Sequence, residues 1–227
     1  MYQNKKFLAI IPARGGSKRL PRKNVLELAG KPIIGWSIEA GLQSQYIDKV
    51  IVTSDDNEIL NIAKQFGSDI IKRPEKLSSD TATSFDAIKH TIENIEPYDY
   101  IILLQPTSPL RTAKQIDEAI QLLDEKNANA IVSVCEMDHS PLWSNTLNNS
   151  LSMQNFLQEE LLNKRSQELD IFYRLNGAIY ICKTNKLLEE ESFFLKDKIF
   201  AYVMDRESSI DIDEEIDFKI AKVLIND

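Results

Sequence analysis

Phe7-Leu-Ala-Ile-Ile-Pro12-Ala-Arg14-Gly-Gly-Ser17-Lys18-Arg19-Leu-Pro21-Arg22-Lys23-Asn24 is the stretch that decides the fold. An apolar run of buried-strand type stops at Pro12, and a loop with Gly15-Gly16 and five cationic side chains follows at once. Residues 1–24 hold seven Lys or Arg and no acid, whereas the other 203 residues hold 20 basic and 35 acidic ones. A chain that is acidic nearly everywhere has gathered positive charge directly behind its first strand. In an open α/β sheet, ligands settle at the carboxyl edge of the strands. Paired glycines let backbone N–H groups approach an anion, and Lys or Arg neutralise it. The stretch therefore reads as a polyphosphate-binding loop, although it has neither the G-x-x-x-x-G-K-[ST] nor the G-x-G-x-x-G spacing.

Composition narrows the rest. A length of 227 residues suits one α/β domain with at most a small appendage, and 43% hydrophobic content is ample for its core. A net charge of −8 argues against general binding of nucleic acid or anionic membranes and leaves local attraction of anions. Cys135 and Cys182 both lie in apolar runs and read as core residues in a reducing compartment. Besides them only His90 and His139 are present, so no zinc site of usual spacing can be assembled. His90 falls in a helical pattern and reads as structural; His139 is given no role. The run at Phe7–Ala13 is too short to span a membrane and lacks a cleavage region, so a cytoplasmic protein is expected.

Strand-like runs alternate with helical periodicity through the first 135 residues. Strands are predicted at Lys49–Thr53, Asp69–Lys72, Tyr100–Leu104 and Ala130–Cys135. Helices are predicted over Pro32–Leu42, from Ser54-Asp55-Asp56 to Gly67, over Thr81–Ile95 and over Ile116–Leu123. This order predicts an α/β fold of three layers, a mostly parallel sheet with helices on both faces. The pattern breaks near Met137. Residues 138–175 are polar and irregular, with a helical stretch predicted at Phe156–Leu162. Strand character returns at Ala178–Cys182 and Ala201–Met204. Residues 1–137 and 176–227 thus read as one core and 138–175 as an arm toward a second subunit, because unstructured loops of that length are uncommon in compact domains.

Four further stretches could carry chemistry. In extended backbone, Ser209-Ile210-Asp211-Ile212-Asp213 sends both carboxylates to one side and both isoleucines to the other. Such a pair can hold Mg²⁺, which takes a few oxygen ligands and completes its shell with phosphates. Capping of a last helix, with Ile216, Ile220, Val223 and Leu224 as its stripe, explains Asp213, Glu214 and Glu215 but not Asp211. Gln105-Pro106-Thr107-Ser108-Pro109-Leu110-Arg111 follows the best central strand, where it is a stiff turn or a loop offering Gln105 to a polyol. Arg73-Pro74 and Ser78-Ser79-Asp80-Thr81-Ala82-Thr83-Ser84 form either a capping region or a surface that reads a base or ribose. Phe193-Phe194 reads as core or as an acyl-pocket wall.

Taken together these motifs resemble the acylneuraminate cytidylyltransferases, the CMP-sialic acid synthetases and their legionaminic-acid relatives. The resembling segments are Ile11–Asn24, Arg73–Ser84, Leu104–Arg111, Asn176–Ile181 and Ser209–Asp213, spread over nearly the whole chain. The resemblance implies a nucleotidyltransferase core, a homodimer built through 138–175, and Mg²⁺-dependent transfer of CMP from CTP to a nine-carbon keto-sugar acid. It places Arg14, Ser17, Lys18 and Lys23 at the triphosphate and Asn24, Arg73 and Ser84 at the cytidine. Gln105, Arg165, Tyr180, Phe193 and Phe194 would shape the sugar pocket, and Asp211 with Asp213 would hold the metal. Lys23 and Arg14 would neutralise the leaving pyrophosphate, while Asp211 or a hydroxide on the metal takes the proton. Trp143 stands where some sialic-acid-using members carry a lysine for the sugar carboxylate. Pseudaminic acid or 3-deoxy-manno-octulosonate is the alternative acceptor, and a non-catalytic nucleotide-binding module the alternative role.

Overall fold

A computed structural model describes residues 1–79 and 81–225. The two faces of β1 (Phe7–Pro12) explain its place. Phe7, Ala9 and Ile11 point to one side and Leu8 and Ile10 to the other, all of them buried. A strand apolar on both faces belongs inside a covered sheet. After the basic loop, a hairpin of β2 (Glu27–Leu28) and β3 (Lys31–Pro32) leads into α1 (Ile33–Gln43). Alternation continues through β4 (Lys49–Ser54), α2 (Asn57–Gln65), β5 (Asp69–Lys72), α3 (Ser84–Glu93), β6 (Tyr100–Leu103), α4 (Ala113–Glu125) and β7 (Ala130–Glu136). Beyond the irregular segment come β8 (Tyr173–Lys183), α5 (Thr184–Glu190), β9 (Ile199–Met204) and α6 (Glu215–Leu224).

The main sheet has seven strands in the order β5-β4-β1-β6-β8-β7-β9. Only β8 runs against its neighbours; every other pairing is parallel. On the Phe7 face lie α1, α2 and α4, through residues such as Ile38, Ile59 and Ile120. On the Leu8 face lie α3 and α5, through Ile88 and Leu187. The three-layer, mostly parallel architecture is the expected one.

Several local expectations are corrected. The helix expected from Thr81 begins at Ser84, because Thr83 closes a capping box with Asp86. The helix expected at Phe156–Leu162 is a single 3-10 turn at Glu159–Leu161. Leu161 is buried there but Leu162 is exposed, so no apolar stripe holds a longer helix in place. β8 begins at Tyr173, inside the expected arm, because Arg174 and Asn176 mask its strand character in the sequence. Between Met137 and Phe172 the described residues carry only 3-10 turns, at Pro141–Trp143, Glu159–Leu161 and Ser166–Glu168. Asp213 is not the N-cap of α6; that position is Glu214. The Asp217 carboxylate accepts from the backbone amides of Asp213 (3.0 Å) and Glu214 (2.8 Å), which leaves the Asp213 side chain free to point elsewhere. The expected stripe of α6 mostly faces out, with Ile216 58%, Ile220 42% and Val223 62% exposed. α6 rests by Ala221 and Phe218 on Leu28, Ile33 and Ile212, a narrow seat at the hairpin rather than the broad sheet.

Candidate active site

β4, β1 and β6 run parallel, so the loops that leave them gather at one sheet edge. β5 runs parallel to β4, and the loops after β1, β5 and β6 wall a cleft of about 530 Å³ with the segment before α6. Arg14, Ser17, Lys18 and Lys23 reach it from the loop after β1, with Asn24 at its base. Arg73 and Ser84 line a second wall, Gln105 a third, and Asp213 closes the far side. Nine residues singled out from sequence thus share one cavity. Asp80 lies outside the described residues.

The basic loop is tied down at its back. Gly15 N–H donates to Asp55 Oδ1 at 3.2 Å, and a Cβ on Gly15 would come within 2.7 Å of Asp56 Oδ2. Arg22 sits in the left-handed region (φ 58°), a conformation that costs a non-glycine residue free energy. Its guanidinium pairs with Asp56 at 2.5 Å and with Glu58, both at the start of α2. Asn24 is buried; its amide donates to the Arg14 carbonyl at 3.0 Å, while its Oδ1 has no protein partner. Arg73 is buried too, donating through Nε to Ser78 Oγ at 2.7 Å. Burial lowers its pKa, Arg14 adds to that effect, and Asp55 opposes it.

Opposite the loop stand the carboxylates. Lys23 Nζ donates to Asp213 Oδ1 at 2.9 Å, and Arg19 Nη2 to Asp213 Oδ2 at 2.8 Å. Burial alone would raise the Asp213 pKa, but the Lys23 hydrogen bond and the Lys23 and Arg19 charges hold it below the ordinary value. Asp211 behaves in the opposite way. Burial, and then the charge of Asp213, keep its pKa above the ordinary value against the pull of Thr107 and Lys23. Its Oδ1 is buried without a partner. Ile212, fully buried between the two acids, anchors them, and its N–H donates to the Thr107 carbonyl at 2.8 Å. Among the described residues no cluster of three His, Cys, Asp or Glu could hold a metal alone. An orphaned carboxylate oxygen beside a second carboxylate still suits a hard cation that takes its other ligands from phosphates. Asp211 and Asp213 therefore fit the expected group.

The aromatic residues form a neighbouring group. The Tyr180 ring lies 5.7 Å from that of Phe193 and 6.3 Å from that of Phe194. Burial raises the Tyr180 pKa, and the charge of Asp211 raises it further, which places this ring near the acid pair. Arg165 is not brought to the cleft. It lies exposed on the irregular segment, its backbone N–H donating to Glu168. Three residues with a part in the geometry were not assigned from sequence. Arg19 belongs to the basic loop, yet nothing local marks it as a partner of Asp213. Thr107 looks like any residue between two prolines. Gly177 has φ +74°, and a Cβ there would lie 2.6 Å from Gln105 Oε1, so only glycine lets Gln105 sit against β8. The Asn-Gly pair at 176–177 was its one legible signal.

A family model described as cytidylyltransferase matches residues 8–225. The chain is 39% identical over 217 residues to an N-acylneuraminate cytidylyltransferase of Escherichia coli, covering 95% of this chain and 51% of that one. It is 34% identical over 234 residues to a CMP-N,N'-diacetyllegionaminic acid synthase of Legionella pneumophila, covering 97% and 96%. The chain thus spans about half the length of the first relative and nearly all of the second. In fold it is similar to a solved CMP:2-keto-3-deoxy-manno-octonic acid synthetase complexed with CTP, with a TM-score of 0.74 at 20% identity over 97% of this chain and 98% of that one.

Proposed function

The chain belongs to the cytidylyltransferase family, and we propose that it transfers CMP from CTP to the anomeric hydroxyl of a nonulosonic acid, N-acetylneuraminic or legionaminic acid, releasing pyrophosphate. The observation that carries this reading is the meeting of Lys23 and Asp213 at 2.9 Å, with Asp211 beside them and the basic loop behind. Cations from the start of the chain and the Asp213 carboxylate from near its end face one cavity large enough for a nucleotide.

In the proposed reaction the sugar oxygen attacks the α-phosphorus, the bond to the bridging β-phosphate oxygen breaks, and pyrophosphate departs. Negative charge grows on the phosphoryl oxygens, so catalysis is mostly positioning and electrostatic stabilisation. Arg14, Ser17, Lys18 and Lys23 bind the triphosphate, with Lys23 and Arg14 neutralising the leaving group. Asn24, Arg73 and Ser84 hold the cytidine, where the unpartnered Asn24 Oδ1 supplies an acceptor. Gln105, Tyr180, Phe193 and Phe194 shape the acceptor side. Asp211 and Asp213 would hold Mg²⁺, which when bound supplies positive charge against the α-phosphate. Asp211, with its raised pKa, takes the proton of the attacking hydroxyl.

The assembly is proposed to be a homodimer through 138–175, where Leu147, Leu151, Met153, Leu162 and Ile171 are exposed beside Tyr173, Leu175 and Val203. Arg165, remote from the cleft of its own chain, would then serve the partner's side. Among the described residues no helix is long and apolar enough to cross a membrane. The buried free thiols Cys135 and Cys182 support a cytoplasmic location.

The test is pyrophosphate release from CTP and Mg²⁺ with a panel of keto-sugar acids. Release with N-acetylneuraminic or legionaminic acid is expected. Release only with pseudaminic acid or 3-deoxy-manno-octulosonate would reassign the acceptor. CTP binding without turnover on any acid would leave a nucleotide-binding module.

A further inference from the structure

We propose that Arg111 is a positioning residue for the acceptor half of the cleft, clamping the loop after β6 to β8 from beneath. Its side chain is 2% exposed. Nη1 donates to the Ala178 carbonyl at 2.8 Å and the Gln105 carbonyl at 3.3 Å. Nε and Nη2 are buried without a partner, and no carboxylate pairs with the guanidinium among the described residues. Burial without a counter-ion pushes it down to about 9. A buried cation left this way costs stability, which an apolar side chain of similar volume would avoid. What it holds must account for it.

It holds two walls of one contact. Gln105 is the cleft residue whose side chain lies against the bare Cα of Gly177, and Ala178 is the next residue along β8. Arg111 grips the backbone of both. The same Gln105 carbonyl also accepts from Ser37 Oγ at 3.2 Å and from Ser108 N–H at 3.3 Å. Two residues on, the Thr107 carbonyl accepts the N–H of Ile212, the residue next to Asp211. A shift of this loop would therefore carry Gln105 and Asp211 with it. The basic loop and Arg73 are tied elsewhere, to Asp55, Asp56 and the Ser54 carbonyl. The clamp thus acts chiefly on the acceptor side; its link to the triphosphate side runs through Asp213, which Lys23 and Arg19 hold from the basic loop.

Because that side is assigned by the proposed cytidylyl transfer, the kinetic consequence rests on that reading. Arg111→Met and Arg111→Lys would be compared with wild type for kcat and KM of the sugar acid, for CTP affinity, and for amide hydrogen exchange. Arg111→Met is expected to lower kcat/KM for the acid on the order of 10²-fold, the size of an ångström-scale misplacement, with CTP affinity retained. Arg111→Lys, which keeps one donor, recovers part of the loss. Exchange should quicken at the Ser108 and Ile212 amides and stay unchanged in β1 and β4. A folded Arg111→Met with wild-type kinetics for the acid and unchanged exchange at both amides would overturn the clamp. If Arg111→Met does not fold, the same pair of unchanged readings in Arg111→Lys overturns it. Wild type that turns over no acid would refute the functional reading alone, and the exchange data would still decide the clamp.

Discussion

Asp211 and Asp213 stand two residues apart and are shifted in opposite directions, which shows how environment rather than residue type sets a carboxylate's task. Asp213 answers the cations of the basic loop, while Asp211 is held by burial with one oxygen unpartnered. A raised folded-state pKa means that the folded chain gives up this proton less readily than the unfolded one. Its contribution to stability is then full below the ordinary carboxylate pKa and is lost as pH rises through the raised value. Asp211→Asn should therefore raise the melting temperature of the ligand-free protein near neutral pH, with the gain shrinking on acidification, while turnover is lost. A lowered melting temperature at neutral pH would contradict this. Alternation about Ile210 and Ile212 made this pair legible in the sequence. The Lys23 and Arg19 contacts span 190 and 194 residues of chain, so no local pattern could announce them.

Among the elements, α2 links the fold to the site. Asp56 caps it, accepting from Glu58 N–H at 2.8 Å and Ile59 N–H at 3.2 Å, and also holds Arg22 of the loop. Burial pushes its pKa up, but Arg22 and the two amides outweigh that and keep it below the ordinary value. Its stabilisation is thus present above the ordinary carboxylate pKa and is lost as pH falls through the folded value. Asp56→Ala should cost about 1 kcal/mol or somewhat more in urea unfolding, the size of a lost cap, and should weaken CTP binding by releasing the loop. Unchanged stability and affinity would count against the latch. The strands were legible as short continuous apolar runs, and most helices by their 3.6-residue period. The antiparallel placing of β8 between β6 and β7 was not, since Ala178–Cys182 has the same apolar alphabet as its parallel neighbours. Nor was the outward turn of Ile216 and Val223 on α6, because periodicity reveals a face but not what covers it.

Over the whole molecule, an acidic chain presents one positive loop at one sheet edge, and its exposed apolar residues concentrate around the irregular segment. Surfaces of that kind mark contact sites. Sedimentation equilibrium should return twice the mass of the chain at micromolar concentration; the mass of a single chain would contradict the proposed dimer. The cleft itself was largely legible, because its cations and acids are dense in sequence, whereas Arg165 lies exposed on the irregular segment, away from that cleft. The most direct measurement is the rate of pyrophosphate release from CTP and Mg²⁺ with the accepted sugar acid, in wild type and in Lys23→Ala. Loss of a preorganised charge facing the reacting phosphates predicts a fall of roughly 10²-fold or more. Release by Lys23→Ala at the wild-type rate would contradict it.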